Sequence, residues 1–108
     1  MTTYSNTSYA VKNVSTSGST AISTIASGTV AVSSLILSNT SISPITVNAY
    51  ITRSSVNYYL VYQATVPVGG SLEAIQGNRV VMITGDSLTV VASAATSADC
   101  WISALTAV

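Results

Sequence analysis

Between Ile45 and Ile51 the chain alternates strictly. Ile45, Val47, Ala49 and Ile51 fall on one side of an extended backbone, and Thr46, Asn48 and Tyr50 fall on the other. A repeat of two residues marks a strand with one buried face, and a helix, whose faces recur every three to four residues, cannot satisfy it. This segment lies inside a longer one, Val30 to Val68, in which three apolar, β-branched runs are separated by two polar turns, SNTSISP and TRSSVN. Read in order, the three runs predict a β-meander at the centre of a sheet.

The rest of the chain extends the pattern. Residues 1–19 are rich in Ser, Thr and Asn and read as an N-terminal arm ordered by neighbouring subunits, although Tyr9 to Val14 has the alternation of a short strand. Residues 20–108 read as a single domain that opens with a weak strand from Thr20 to Ile25. In the first run of the meander the apolar parity slips, from Val30 and Val32 to Leu35 and Leu37. One extra residue at Ser33-Ser34, a β-bulge, produces this slip; a strand buried on both faces is the alternative. The third run is apolar on both sides, with Val56, Tyr58, Leu60 and Tyr62 set against Tyr59 and Val61, which predicts a central strand or one covered by another chain. Beyond the turn at Val66-Pro67-Val68-Gly69-Gly70-Ser71 come further strands over Leu72–Ile75, Arg79–Thr84, Leu88–Ser93 and Cys100–Val108. Turns at Gln76-Gly77-Asn78 and Gly85-Asp86-Ser87 and a loop over Ala94–Asp99 separate them. No segment has the caps and stripe of a helix. Eight or nine short strands at about ten-residue spacing predict an all-β fold, an antiparallel β-sandwich or jelly roll.

Charge narrows the function classes. Ordinary domains are roughly a quarter charged, whereas this one, at 108 residues a single domain, is 6% charged, with Lys12, Arg53, Arg79, Glu73, Asp86 and Asp99 and no His. Nineteen Ser and fifteen Thr stand in for the missing charges. Three scattered cations cannot neutralise a run of phosphates, so nucleic-acid binding is not expected. No apolar run approaches the ~20 residues of a spanning helix, and the first residues lack the basic and apolar regions of a signal peptide, so neither a membrane nor a secreted location is expected. Cys100 stands alone, which leaves no intrachain disulfide and no cysteine metal site. The sequons at Asn6, Asn13 and Asn39 read as chance matches in a Ser/Thr-rich chain. With little self-repulsion, the chain is suited to life packed among other subunits.

Nothing resembles a chemical centre. A general base, an activated nucleophile or a metal is the usual requirement. Without His, and with Asp86 and Asp99 in predicted turns, no catalytic, cofactor-binding or metal residues are assigned and no enzyme activity or cofactor is expected. Asp86 after Gly85 reads as a turn residue bonding its own backbone, and Cys100 beside Trp101 as a small buried hydrophobe. What stands out is aromatic. Tyr50, Tyr58, Tyr59 and Tyr62 lie on adjacent predicted strands, where cross-strand packing, a contact surface and a sugar platform all remain open. Together with Tyr4, Tyr9, Arg53 and Trp101 they form the candidate protein–protein interface.

From about Val30 onward the pattern resembles small all-β virion proteins of tailed bacteriophages. It is carried by the SNTS turn at Ser38 to Ser41, the TVNAYI strand at Thr46 to Ile51, the VPVGGSL turn at Val66 to Leu72 and GDSLTVVAS at Gly85 to Ser93. The resemblance implies a non-enzymatic virion structural protein, assembled in the host bacterial cytoplasm. A capsid cement or decoration protein at capsid-subunit junctions is the first expectation. A neck, tail or baseplate subunit is the alternative, and a carbohydrate- or receptor-binding module of a fibre is a third. The implied partners are further copies, as a trimer or higher homo-oligomer, and virion proteins such as the major capsid protein.

Overall fold

Alternation predicts strands, and strands are what the chain forms. The computed structural model describes residues 4–75 and 79–107, so the predicted turn at Gln76-Gly77-Asn78 lies outside the described residues. Among the described residues there are nine strands: β1 (Tyr4–Val11), β2 (Ser19–Ile22), β3 (Thr29–Asn39), β4 (Ile45–Arg53), β5 (Val56–Val66), β6 (Ser71–Glu73), β7 (Val80–Ile83), β8 (Ser87–Ala92) and β9 (Ala98–Ala107). They build two antiparallel sheets. One runs β1-β9-β3-β6, with β7 also pairing β3; the other runs β2-β8-β4-β5. β6 and β7 share one position beside β3, since β6 takes Ile36–Ser38 and β7 takes Thr29–Val32. That is the connectivity of a jelly roll. The inward residues of both sheets form one core around Val32, Leu35, Leu37, Val47, Leu88, Val90 and Ile102, all fully buried.

The parity slip in β3 is a bulge. Val32 pairs Ala104 and Ser34 pairs Ser103, so Ser33 is the extra residue. Glu73 of β6 stabilises it. Its carboxylate accepts the Leu35 backbone N–H at 3.1 Å and the Ser34 hydroxyl at 3.0 Å.

The expected meander is corrected: β3 lies in one sheet and β4 in the other. SNTSISP is therefore an arch that carries the chain across the sandwich, and only β4 and β5 form a hairpin. The cause is Asn39. Its side chain is buried and donates to the carbonyls of Ser43 (2.8 Å) and Val66 (3.1 Å), while its oxygen accepts the Ser41 N–H (2.8 Å) and hydroxyl (2.7 Å). Four bonds to one side chain hold the arch shut and turn it away from hairpin geometry. The β4–β5 turn is tight, with Arg53 paired to Val56 and both Ser54 (φ 52°) and Ser55 (φ 64°) left-handed. Two left-handed central residues make a type I′ turn, in which the strand twist and the turn twist agree.

The expectation of an arm at residues 1–19 also changes over the described residues. Tyr4–Val11 is a full sheet strand, paired without interruption to β9 of the same chain. Its Tyr9 and Val11 face inward, which anchors it on the core. Of the two expectations for β5, the central strand is corrected: among the described residues it is an edge strand paired only with β4.

Candidate interaction surfaces

The candidate residues fall into three places. Tyr50, Tyr59 and Tyr62 come together on the outer face of the β2-β8-β4-β5 sheet. Outward parity on β4 puts Tyr50 there, and the Tyr50–Tyr59 register pair brings the second ring across. Ring centroids lie 5.1 Å apart for Tyr50–Tyr59, tilted, and 5.0 Å for Tyr59–Tyr62, edge to face. These are favoured aromatic geometries. Register shifts within β5 allow Tyr59 and Tyr62 to share a face although they are three apart. One such shift is supported by the Asn48 side chain, whose oxygen accepts the Gln63 N–H.

Tyr58 points to the other side of β5, beside Ile51 and Arg53, where the three line a cavity of about 240 Å³. Arg53 is committed to Asp86. Its guanidinium donates to both carboxylate oxygens, at 2.8 and 2.6 Å, and Asp86 also accepts the Ile83 N–H at 2.9 Å. Asp86 is buried while Arg53 is half exposed. The Arg53 hydrogen bonds hold the Asp86 carboxyl below its usual range, against the opposing effect of burial. The reading of Asp86 as a turn residue captured the Ile83 bond and missed the larger role. The residue ties the β4–β5 hairpin to the β7–β8 turn, and nothing local in the sequence pairs positions 53 and 86.

Tyr4, Tyr9 and Trp101 belong to the opposite sheet. Tyr9 is half-buried against the core, and Tyr4 is exposed near the start of β1. Trp101 projects from the outer face of β9 and is 53% exposed. At that end Asp99 accepts the Asn13 backbone N–H and a bond from Lys12, each at 3.0 Å, and these bonds lower its pKa. Among the described residues no group of His, Cys, Asp and Glu is arranged to hold a metal ion.

Cys100 is buried between β1 and β3, and burial pushes its thiol up to about 12. Thiolate is the reactive form. The native protein is therefore expected to resist maleimide labelling at pH 7.5 over hours, with one thiol per chain released in denaturant; fast native labelling would show that β9 opens.

No family model and no curated protein matches the chain. Among solved structures it is similar to a chain from Bacillus endospore appendages, described as a novel family of disulfide-linked pili, with a TM-score of 0.58 and 14% identity over 98% of this chain and 89% of that one. It is also similar to a chain in the structure of the infectious bursal disease virus Gx strain, with a TM-score of 0.53 and 12% identity over 99% of this chain. There it spans 33% of the other chain's length. At these identities the likeness is one of fold, and both matches lie in assembled structures.

Proposed function

We propose that the chain is a non-enzymatic structural subunit of a bacteriophage virion, in the first place a capsid cement or decoration protein. It seats as a homo-oligomer on junctions of the major capsid protein. The observation that carries this reading is the β5 edge. Val56 (49%), Tyr58 (52%), Tyr59 (48%) and Tyr62 (64%) are exposed on one edge strand. Natural proteins guard long edges with charges or proline, and β5, VNYYLVYQATV, has neither. Its register shifts interrupt the edge near the middle, yet Val56 to Tyr59 pairs regularly and is exposed throughout.

A contact on this edge is small. Three half-exposed tyrosines offer roughly 300 Å², against about 800 Å² per partner in a stable complex. Single contacts of that size hold only when symmetry repeats them, which suits a subunit added in many copies to a shell. Disulfide linkage, described for the similar pili, has no counterpart here because the one thiol is buried.

Sedimentation over a wide concentration range tests the reading. Mass-dependent association is expected, and Tyr62→Lys, which places a charge on the edge without touching the core, is expected to raise the association midpoint at least about tenfold. A wild-type chain that stays monomeric at every concentration and fails to bind virion shells in a pull-down would overturn it.

A further inference from the structure

On the sheet face opposite the tyrosine cluster, the surface has a different chemistry. Parity sends Asp99, Trp101, Ser103 and Leu105 of β9 outward. On the β1 side the register flanks them with small residues: Ala10 lies beside Trp101, and Ser8 beside Ser103. On the β3 side Ile36 lies beside Trp101, and the indole is still 53% exposed. Two depressions follow one another along this face. One of about 250 Å³ lies by Trp101, Ala10, Ser38 and the Lys12–Asp99 ion pair. The other, about 510 Å³, is lined by Asn6, Ser8, Ser103 and Arg79 together with Ala31 and Leu105. Successive outward residues of a strand stand about 7 Å apart, so Trp101 borders the first depression and Ser103, the next outward residue, lines the second.

We infer that this outer face of β1, β9 and β3 binds an oligosaccharide carrying a carboxylate, with Trp101 stacking one sugar ring and Arg79 holding the acid of another. A sugar presents an apolar C–H face and a rim of hydroxyls. The first asks for an exposed aromatic plane, and the second for groups that both donate and accept. Both are present and unspent. Among the described residues no hydrogen bond engages the side chains of Asn6, Ser8, Ser38 or Ser103. Lys12 and Arg53 are each paired with an aspartate, whereas Arg79 forms no ion pair among the described residues and is exposed. A guanidinium fork matches a carboxylate in geometry as well as charge. One available cation is too few for a nucleic acid. Because the tyrosine cluster lies on the other sheet, a subunit seated by β5 leaves this face outward. The proposal does not depend on that seating.

The chain has one tryptophan, so its own fluorescence reports on the site. The probes are a sialylated trisaccharide and an oligogalacturonate, with a neutral chito-oligosaccharide for comparison. A saturable change in Trp101 emission is expected with at least one acidic probe, and at least tenfold weaker binding with the neutral one. Arg79→Gln is expected to cut affinity for the acidic probe about tenfold or more and to leave the neutral probe unchanged. Trp101→Ala, followed by calorimetry or saturation-transfer NMR, is expected to abolish binding, whereas Tyr59→Ala leaves it intact. Both site residues are exposed, and an unchanged melting temperature verifies the fold of each variant. No response to any probe at millimolar concentration overturns the proposal. So does binding that survives Trp101→Ala, or that is lost in Tyr59→Ala instead. Equal affinity for neutral and acidic probes, unmoved by Arg79→Gln, overturns the assignment of Arg79.

Discussion

Replacing Asp86 by alanine is expected to lower the melting temperature by roughly 10–20 °C, from a loss of about 2–4 kcal/mol. The carboxylate is buried and accepts three bonds, two from Arg53 and one from the Ile83 N–H. Its removal unties the β4–β5 hairpin from the β7–β8 turn and leaves that N–H without its acceptor. The Arg53 side of the pair is half exposed and solvent-screened, so most of the loss arises at the buried carboxylate. Acid tests the same bond. Asp86 and Asp99 both have lowered folded-state pKa values, Asp86 chiefly through Arg53 and Asp99 chiefly through the Asn13 N–H. A lowered value means that the unfolded chain binds protons first. The stabilisation is therefore complete above about pH 5 and is lost as pH falls below about 4, through the folded-state values. Thermal melts from pH 7 to pH 2 are expected to show a plateau and then a decline, and the decline is expected to be shallower in Asp86→Asn. A wild-type profile flat to pH 2 would contradict the role given to these carboxylates.

Asn39→Ala is expected to cost a similar amount, about 2–4 kcal/mol, read as a lower urea midpoint with an unchanged slope. It removes both donors that hold Ser43 and Val66 and the acceptor used by Ser41. Asn39→Asp separates the two functions. The ionised carboxylate still accepts from Ser41 but faces two carbonyl oxygens that need a donor. This variant is expected to be at least as damaged as alanine at pH 7 and to recover part of the loss near pH 4, where the protonated acid donates again. An aspartate variant as stable as wild type at neutral pH would show that the arch does not depend on these bonds.

The strands were legible because their signal is local. Alternation over Ile45–Ile51 and the parity slip at Ser33-Ser34 are properties of a few consecutive residues, and both appear in the fold as expected. Pairing is not local. A polar turn such as SNTSISP reads alike whether the next strand lies beside the last one or across the core, and the deciding contact, Asn39 to Val66, spans a hairpin the turn does not contain. The same blindness left the place of β5 open. Apolar residues on both sides of Val56–Tyr62 suit a central strand or one covered by another chain, and only the strand order shows that β5 ends the sheet. The aromatic candidates, singled out as one set, divide between two sheets. Asn6, Ser8, Ser103 and Arg79 carry no individual signal and become a group only when β1, β9 and β3 lie side by side.

The pairing of β1 and β3 with β9 has a consequence for how the protein is made. β9 stands between the two strands and joins them, so neither has its shared neighbour until residue 107 has been synthesised and has left the ribosome. Until then the nascent chain displays the open flanks of β1 and β3, with little opportunity to fold a piece at a time. Such distant partners also make closure slow, in the millisecond-to-second range. Folding is therefore completed only once β9 is available, and until then β5 and the unpaired strands are most open to incorrect partners. The near absence of charge, and with it of self-repulsion, leaves the newborn chain dependent on low concentration or prompt capture.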